Sequence, residues 1–221
     1  GFNSNLEQWD PLWNLLSNCQ SRLIRLDIPG FGMSDWQPAD YRLAAQSARV
    51  IRLMDKLNIP RASFVGFSMG ASLAAWIAAT YPTRTVSLAL LAPSGASSGL
   101  GYGGLFGFYT SNRFANALGR SISKTRLFQG IFHNRMTMQA LETSASYGRS
   151  WDERLHAIRA PVWIAWSASD WVARAETATT IHRTIPRSKL EWLSPASGHD
   201  VIRSHAELIA SRICHSISQL P

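Results

Sequence analysis

The sequence predicts an α/β protein: a mostly parallel sheet flanked by helices, with a small helical insertion. Three observations carry this. Short apolar runs of strand length alternate with longer segments of helical period. Glycine- and proline-rich turns separate them. One such turn, Gly66-Phe67-Ser68-Met69-Gly70, follows the β-type residues Ser63, Phe64 and Val65 and opens an alanine-rich helix from Ala71 to Ala79.

The bounds are consistent with that class. A chain of 221 residues suits one large domain or a core with an insertion. Hydrophobic content of 46% and charged content of 16% describe a globular chain with a substantial core. No apolar run reaches the roughly 18 residues of a membrane span. The net charge of +8 raises nucleic-acid binding. Yet Arg22, Arg25, Arg42, Arg49, Arg52, Lys56 and Arg61 are scattered singly, as on a solvated surface. No nucleic-acid partner is expected. Cys19 and Cys214 have no paired spacing and read as two reduced thiols, which favours a cytoplasmic location.

Along the chain, Leu6, Trp9, Leu12, Trp13, Leu15 and Leu16 recur with helical period, and Pro11 marks the helix start. Arg22 to Asp27 alternates as a short strand, and Ile28 to Asp35 is a turn-rich loop. Leu43 to Leu57 is a helix that stops before Pro60. The serine strand and helix follow, then a buried strand from Val86 to Ala92.

After Pro93 the character changes. A glycine- and aromatic-rich stretch leads into a helical pattern from Leu127 to Tyr147. The expected division is a first core segment at 1–97, a cap at 98–155 and a second core segment at 156–221. A strand at Val162 to Trp166, a turn at Ser167 to Trp171, a helix at Glu176 to Thr184 and a strand at Leu190 to Leu193 complete the alternation. A loop from Ser194 to Asp200 precedes a closing helix from Val201 to Ile217.

In an open parallel sheet, functional groups gather beyond the carboxyl ends of the strands. Ser68, Asp170 and His199 each follow a strand, in that order. A serine hydroxyl needs a base to take its proton as it attacks. His199 has the chemistry for that role. Asp170 would hold the imidazole tautomer and stabilise the imidazolium. The Met69 N–H, at the helix start just after Ser68, would face a developing oxyanion. His133, His156, His182, His205 and His215 are rival bases, and Asp27 and Asp200 rival acids. His182, His205 and His215 fall in or near helices, and Asp200 adjoins the histidine it would have to orient.

These segments, with Gly1-Phe2-Asn3 and Leu26 to Asp35, resemble the α/β-hydrolase superfamily, in its esterase, C–C hydrolase and perhydrolase branch. The resemblance implies that Phe2 N–H is the second oxyanion donor. Phe2, Met69 and Trp171 are then the candidate substrate-binding residues. It also implies that three N-terminal strands are missing and that the chain is a fragment of a longer enzyme, poorly stable alone. One missing strand would lie between the Asp27 strand and the Ser68 strand.

The expected activity is hydrolysis of a carboxylic ester with a small or medium acyl chain, through an acyl-enzyme on Ser68. The positive charge of the insertion favours an anionic or carrier-bound substrate. C–C bond hydrolysis and cofactor-free perhydrolase or haloperoxidase chemistry are the alternatives within the branch. A non-catalytic ligand-binding protein is the alternative from another class. Serine in the nucleophile position argues against epoxide opening and halide removal. No cofactor and no metal are expected.

Overall fold

The computed structural model describes residues 1, 4–34, 40–94, 148–173 and 175–218. Most of the expected cap, including the helical pattern at 127–147 and its basic residues, lies outside them.

Among the described residues four strands form one parallel sheet in chain order: β1 (Ala62–Phe67), β2 (Thr85–Leu91), β3 (Val162–Ser167) and β4 (Ser188–Leu193). The central strands are near-continuous apolar runs because helices cover both faces. Leu90, Leu91, Ile164 and Ala165 are fully buried. The register sets Phe67 against Leu91, Leu91 against Ala165, and Ser167 against Leu193. The carboxyl ends of the strands are therefore level, and the loops that leave them are neighbours.

Among the described residues the helices are α1 (Asp10–Leu16), α2 (Leu43–Lys56), α3 (Met69–Thr80), α4 (Gly148–His156), α5 (Ala175–Thr184), α6 (Val201–Ser204) and α7 (Ala206–Ser218). In α2 the buried residues Leu43, Gln46, Ser47, Val50, Ile51 and Met54 keep helical spacing and make one face. The helix stops where Asn58 turns left-handed at φ 54°. Ile59 N–H then bonds Met54 O at 2.9 Å and Asn58 N–H bonds Asp55 O at 3.1 Å, which satisfies the last carbonyls. By contrast α3 is buried all round, from Met69 to Ala78 except at Gly70. Its alanines let it lie close on β1 and β2. Trp76 stacks on Trp151 of α4 at 6.1 Å, and Arg154 lies 4.1 Å over the Trp76 ring. The segment that leads back into the sheet is thereby packed onto α3.

Three expectations are corrected. Among the described residues, 22–28 join no strand ladder, and β1 pairs with β2 alone. Alternation gives a segment a strand's shape. Only an adjacent backbone makes it a strand. Second, the closing helix is two helices. His205 leaves helical geometry at φ −131°, and its Nε2 accepts the Ser194 N–H at 3.4 Å. Third, Cys19 and Cys214 are not reduced thiols: they form a disulfide across 195 residues. No local spacing could reveal a bridge between the two ends of the described chain. It also removes the cysteine argument for a reducing compartment. Among the described residues no helix is long and apolar enough to cross a membrane.

The bridge ties the short turn after α1 to α7. Replacing Cys19 with serine should lower stability by about 2–5 kcal/mol. Denaturant unfolding with and without reductant checks this. Equal midpoints for the oxidised protein and the variant would dismiss the bridge as a stabiliser.

A second clamp holds α7 to the sheet. Arg212 forks onto Glu191 with both contacts at 3.0 Å, and the Trp163 indole N–H donates to the same carboxylate at 3.0 Å. The Arg212 bond, more than the Trp163 bond, holds the Glu191 carboxyl below its ordinary range despite its partial burial. A carboxyl depressed in the folded state stabilises above its unfolded pKa, and that contribution is lost as pH falls through the folded one. Glu191→Gln should cost up to about 1 kcal/mol at neutral pH. The gap from wild type should close on acidification; a gap that stays constant with pH would show that charge is not its source.

Candidate active site

Ser68 sits between β1 and α3 with φ 53° and ψ −120°. A side chain there is strained, at roughly 1–3 kcal/mol. Its hydroxyl does not cap the helix it precedes, so a simple N-cap role is excluded. Backbone bonds hold the conformation. Ser68 N–H donates to Leu91 O at 2.9 Å, and Ser68 O accepts from Ser94 N–H at 3.2 Å. The Ser72 hydroxyl bonds Ser94, its oxygen lying 3.1 Å from Ser94 Oγ. The end of β2 is thus stitched to the Ser68 turn from both sides.

The two glycines of the turn are not equivalent. A Cβ on Gly66 would lie 2.3 Å from Gly70 O and 2.6 Å from Ala71 N and Cα. On Gly70 it would meet nothing within 4 Å. Only Gly66 is required by close backbone approach.

Asp170 closes the turn after β3, and its side chain is fully buried. Its Oδ1 accepts the N–H groups of Val172 and Ala173, each at 2.9 Å. Its Oδ2 lies 2.7 Å from His199 Nδ1. His199 Nε2 lies 3.1 Å from Ser68 Oγ. A carboxylate only accepts, so Nδ1 carries the ring proton and Nε2 presents a lone pair to the serine hydroxyl. Phe67 packs against the imidazole with ring centroids 4.9 Å apart.

The loops carrying Asp170 and His199 are joined by serines that no motif marks. Ser167 Oγ donates to Ser194 O at 3.2 Å, and Ser169 Oγ donates to Pro195 O. Their only sequence signal is position, one group after each of two adjacent strands.

The rival residues have other work. Asp27 accepts Leu6 N–H at 2.7 Å and Met33 N–H at 3.1 Å, which fastens the start of the chain to the loop after residue 28. Asp200 caps α6 through the Arg203 N–H at 3.4 Å. His182 bonds Ser188 at 2.8 Å, and His205 bonds the Ser194 backbone. His156 and His215 are exposed on helices, and His133 lies outside the described residues.

Met69 is the first residue of α3. Among the described residues its N–H has no acceptor, as the first turn of a helix dictates. Phe2, the expected second donor, lies outside the described residues. The Met69 side chain is buried against Phe31 and Tyr41. Trp171 follows Asp170 and is 82% exposed. Gly1 packs beside Phe67. Among the described residues no group of three His, Cys, Asp or Glu side chains could hold a metal.

A family model described as the alpha/beta hydrolase fold matches residues 1–103. The dihydrolipoyllysine-residue acetyltransferase component of the acetoin cleaving system is similar in two organisms. In Cupriavidus necator it is 36% identical over 50% of this chain, and in Pseudomonas putida 29% identical over 95%. The chain spans only 29% and 59% of the length of those two proteins. The 2-hydroxy-6-oxo-6-phenylhexa-2,4-dienoate hydrolase of Burkholderia cepacia is 28% identical, over 84% of this chain and 73% of its own length. Among solved structures, a meta-cleavage product hydrolase from Pseudomonas fluorescens superposes with a TM-score of 0.75. It is 20% identical, over 99% of this chain and 88% of that one, a likeness of fold alone.

Proposed function

We infer that this chain, which belongs to the α/β-hydrolase superfamily, carries the catalytic centre of a serine hydrolase acting on a small or medium carboxylic ester. The observation that supports this is the continuous contact from Ser68 Oγ to His199 Nε2 at 3.1 Å and from His199 Nδ1 to Asp170 Oδ2 at 2.7 Å.

The chemistry follows atom by atom. Ser68 Oγ attacks the ester carbonyl carbon while its proton moves to His199 Nε2. The imidazolium that forms is held by Asp170, whose other oxygen is already saturated by backbone donors and cannot swing away. The carbonyl oxygen becomes an oxyanion facing the Met69 N–H at the start of α3. Collapse expels the alcohol, which leaves with the proton from Nε2. Water then attacks the acyl-enzyme, with His199 as base again, and the acid is released. Residues 98–155 would form the cap over this centre, and Trp171 its exposed rim.

Two relatives favour variations on this scheme. The Burkholderia cepacia protein is named as hydrolysing a dienoate, which supports C–C cleavage as the second reading. The acetyltransferase components suggest an acyl group discharged to a thiol rather than to water. Both retain attack on a carbonyl.

Labelling by a fluorophosphonate, with the modified peptide located by mass spectrometry, tests the common core. Modification at Ser68 together with turnover of p-nitrophenyl esters supports the ester reading. Modification at Ser68 with turnover of only a dienoate ring-cleavage product moves the assignment to C–C hydrolysis. No modification of folded protein, with ligand binding retained, would make it a binding protein.

A further inference from the structure

We propose that Tyr41 is a positioning residue for the Met69 oxyanion donor. The proposal deepens the hydrolase reading and rests on it.

Tyr41 is 1% exposed, although it stands just before α2. Its ring does not join the main core. It forms a separate small cluster with Phe31 and Met69, with Ile28 at its border. Met69 is the one member supplied by α3, and its N–H is the group expected to meet the oxyanion. The cluster therefore holds the residue after the nucleophile by its side chain.

The other side of the ring is equally constrained. Gly30 has φ 88°, and a Cβ there would lie 2.4 Å from Tyr41 Cε1. The ring occupies the space a side chain at position 30 would need. The loop is tied to α2 by Gln46, itself 1% exposed, whose side-chain amide donates to Pro29 O at 2.8 Å. Arg49 lies 5.7 Å over the Tyr41 ring and donates to Asp40 O at 2.6 Å. A chain of contacts thus runs from α2 through Tyr41 to Met69.

This placement matters because Ser68 is in a strained conformation that its surroundings must enforce. Relaxing the Met69 side chain lets the first turn of α3 rotate, and its N–H then leaves the line to the oxyanion. A loss of that kind falls on the transition state and spares ground-state binding. Removing an oxyanion donor outright costs roughly 100- to 1,000-fold, so loosening one should cost less.

The test compares Tyr41→Ala, Tyr41→Phe and wild type. The readouts are the fluorophosphonate labelling rate, steady-state ester kinetics and thermal unfolding. Tyr41→Ala should lower kcat about 10- to 100-fold with KM changed less than about threefold. A trifluoromethyl ketone should lose affinity by a similar factor, and Tyr41→Phe, which keeps the ring packed on Met69, should retain clearly more activity than Tyr41→Ala. A folded Tyr41→Ala that labels and turns over like wild type overturns the proposal. So does a loss that matches only the unfolded fraction, or one seen equally in Tyr41→Phe. Should Tyr41→Ala not fold, the milder Tyr41→Leu, which also removes the ring, must show the same kcat loss. Wild-type protein that is folded and inert to the fluorophosphonate overturns the hydrolase reading beneath the proposal, and the proposal with it.

Discussion

Ser68→Ala should reduce kcat/KM for any ester substrate by at least about 10,000-fold, and His199→Ala by a similar factor. The two replacements should not compound. Once the nucleophile is gone the base has nothing to deprotonate, so the double variant should be no slower than either single one. Asp170→Asn should also be costly, by a factor approaching about 10,000. Its Oδ1 is committed to two backbone donors. An amide nitrogen would therefore face His199 Nδ1, donate to it, and turn the ring proton toward Ser68. Steady-state kinetics on purified, folded variants checks all three. A folded Ser68→Ala retaining a tenth of wild-type activity would remove the mechanism.

Gly66→Ala should destabilise the fold by on the order of 3 kcal/mol. The added methyl meets backbone atoms of Gly70 and Ala71 as close as 2.3 Å, and backbone cannot swing aside as a side-chain tip can. Relief requires separating β1 from the start of α3, which also moves Ser68. Gly70→Ala is the control. The same methyl enters open space at the second position of a helix, where alanine is intrinsically preferred by about 0.5–1 kcal/mol. Urea unfolding of the pair should give changes of opposite sign. Equal destabilisation would mean that close approach is not what fixes position 66.

The contrast shows what the sequence could and could not disclose. Gly66 and Gly70 are symmetric about Ser68 as letters, yet only one is sterically required. The four parallel strands were legible because Thr85 to Leu91 and Val162 to Ser167 are apolar almost throughout, which half-buried strands are not. Ser68, Asp170 and His199 were legible as a set because each follows a strand, and parallel topology puts those ends on one edge. What defeated sequence reading was long range. Arg22 to Asp27 has a strand's alternation but no neighbouring strand in the described structure. Cys19 and Cys214 are partners only after folding brings α1 and α7 together. The break at His205 depends on a backbone donor eleven residues earlier, at Ser194, and the serine stitches between the Asp170 and His199 loops depend on tertiary placement alone.

The disulfide has a consequence for how the centre is assembled. Cys19 lies on the side of the chain that holds Ser68, and Cys214 on the side that holds Asp170 and His199. A single cut between residues 69 and 169 puts Ser68 on one polypeptide and His199 on another. In the oxidised protein those two pieces remain one molecule. Their reunion is then unimolecular, at an effective concentration on the order of millimolar, whatever the bulk dilution. With the bridge reduced, the same two pieces must find each other by diffusion. The thiol redox state therefore decides how a nicked chain behaves: as one joined molecule, or as two fragments that separate on dilution.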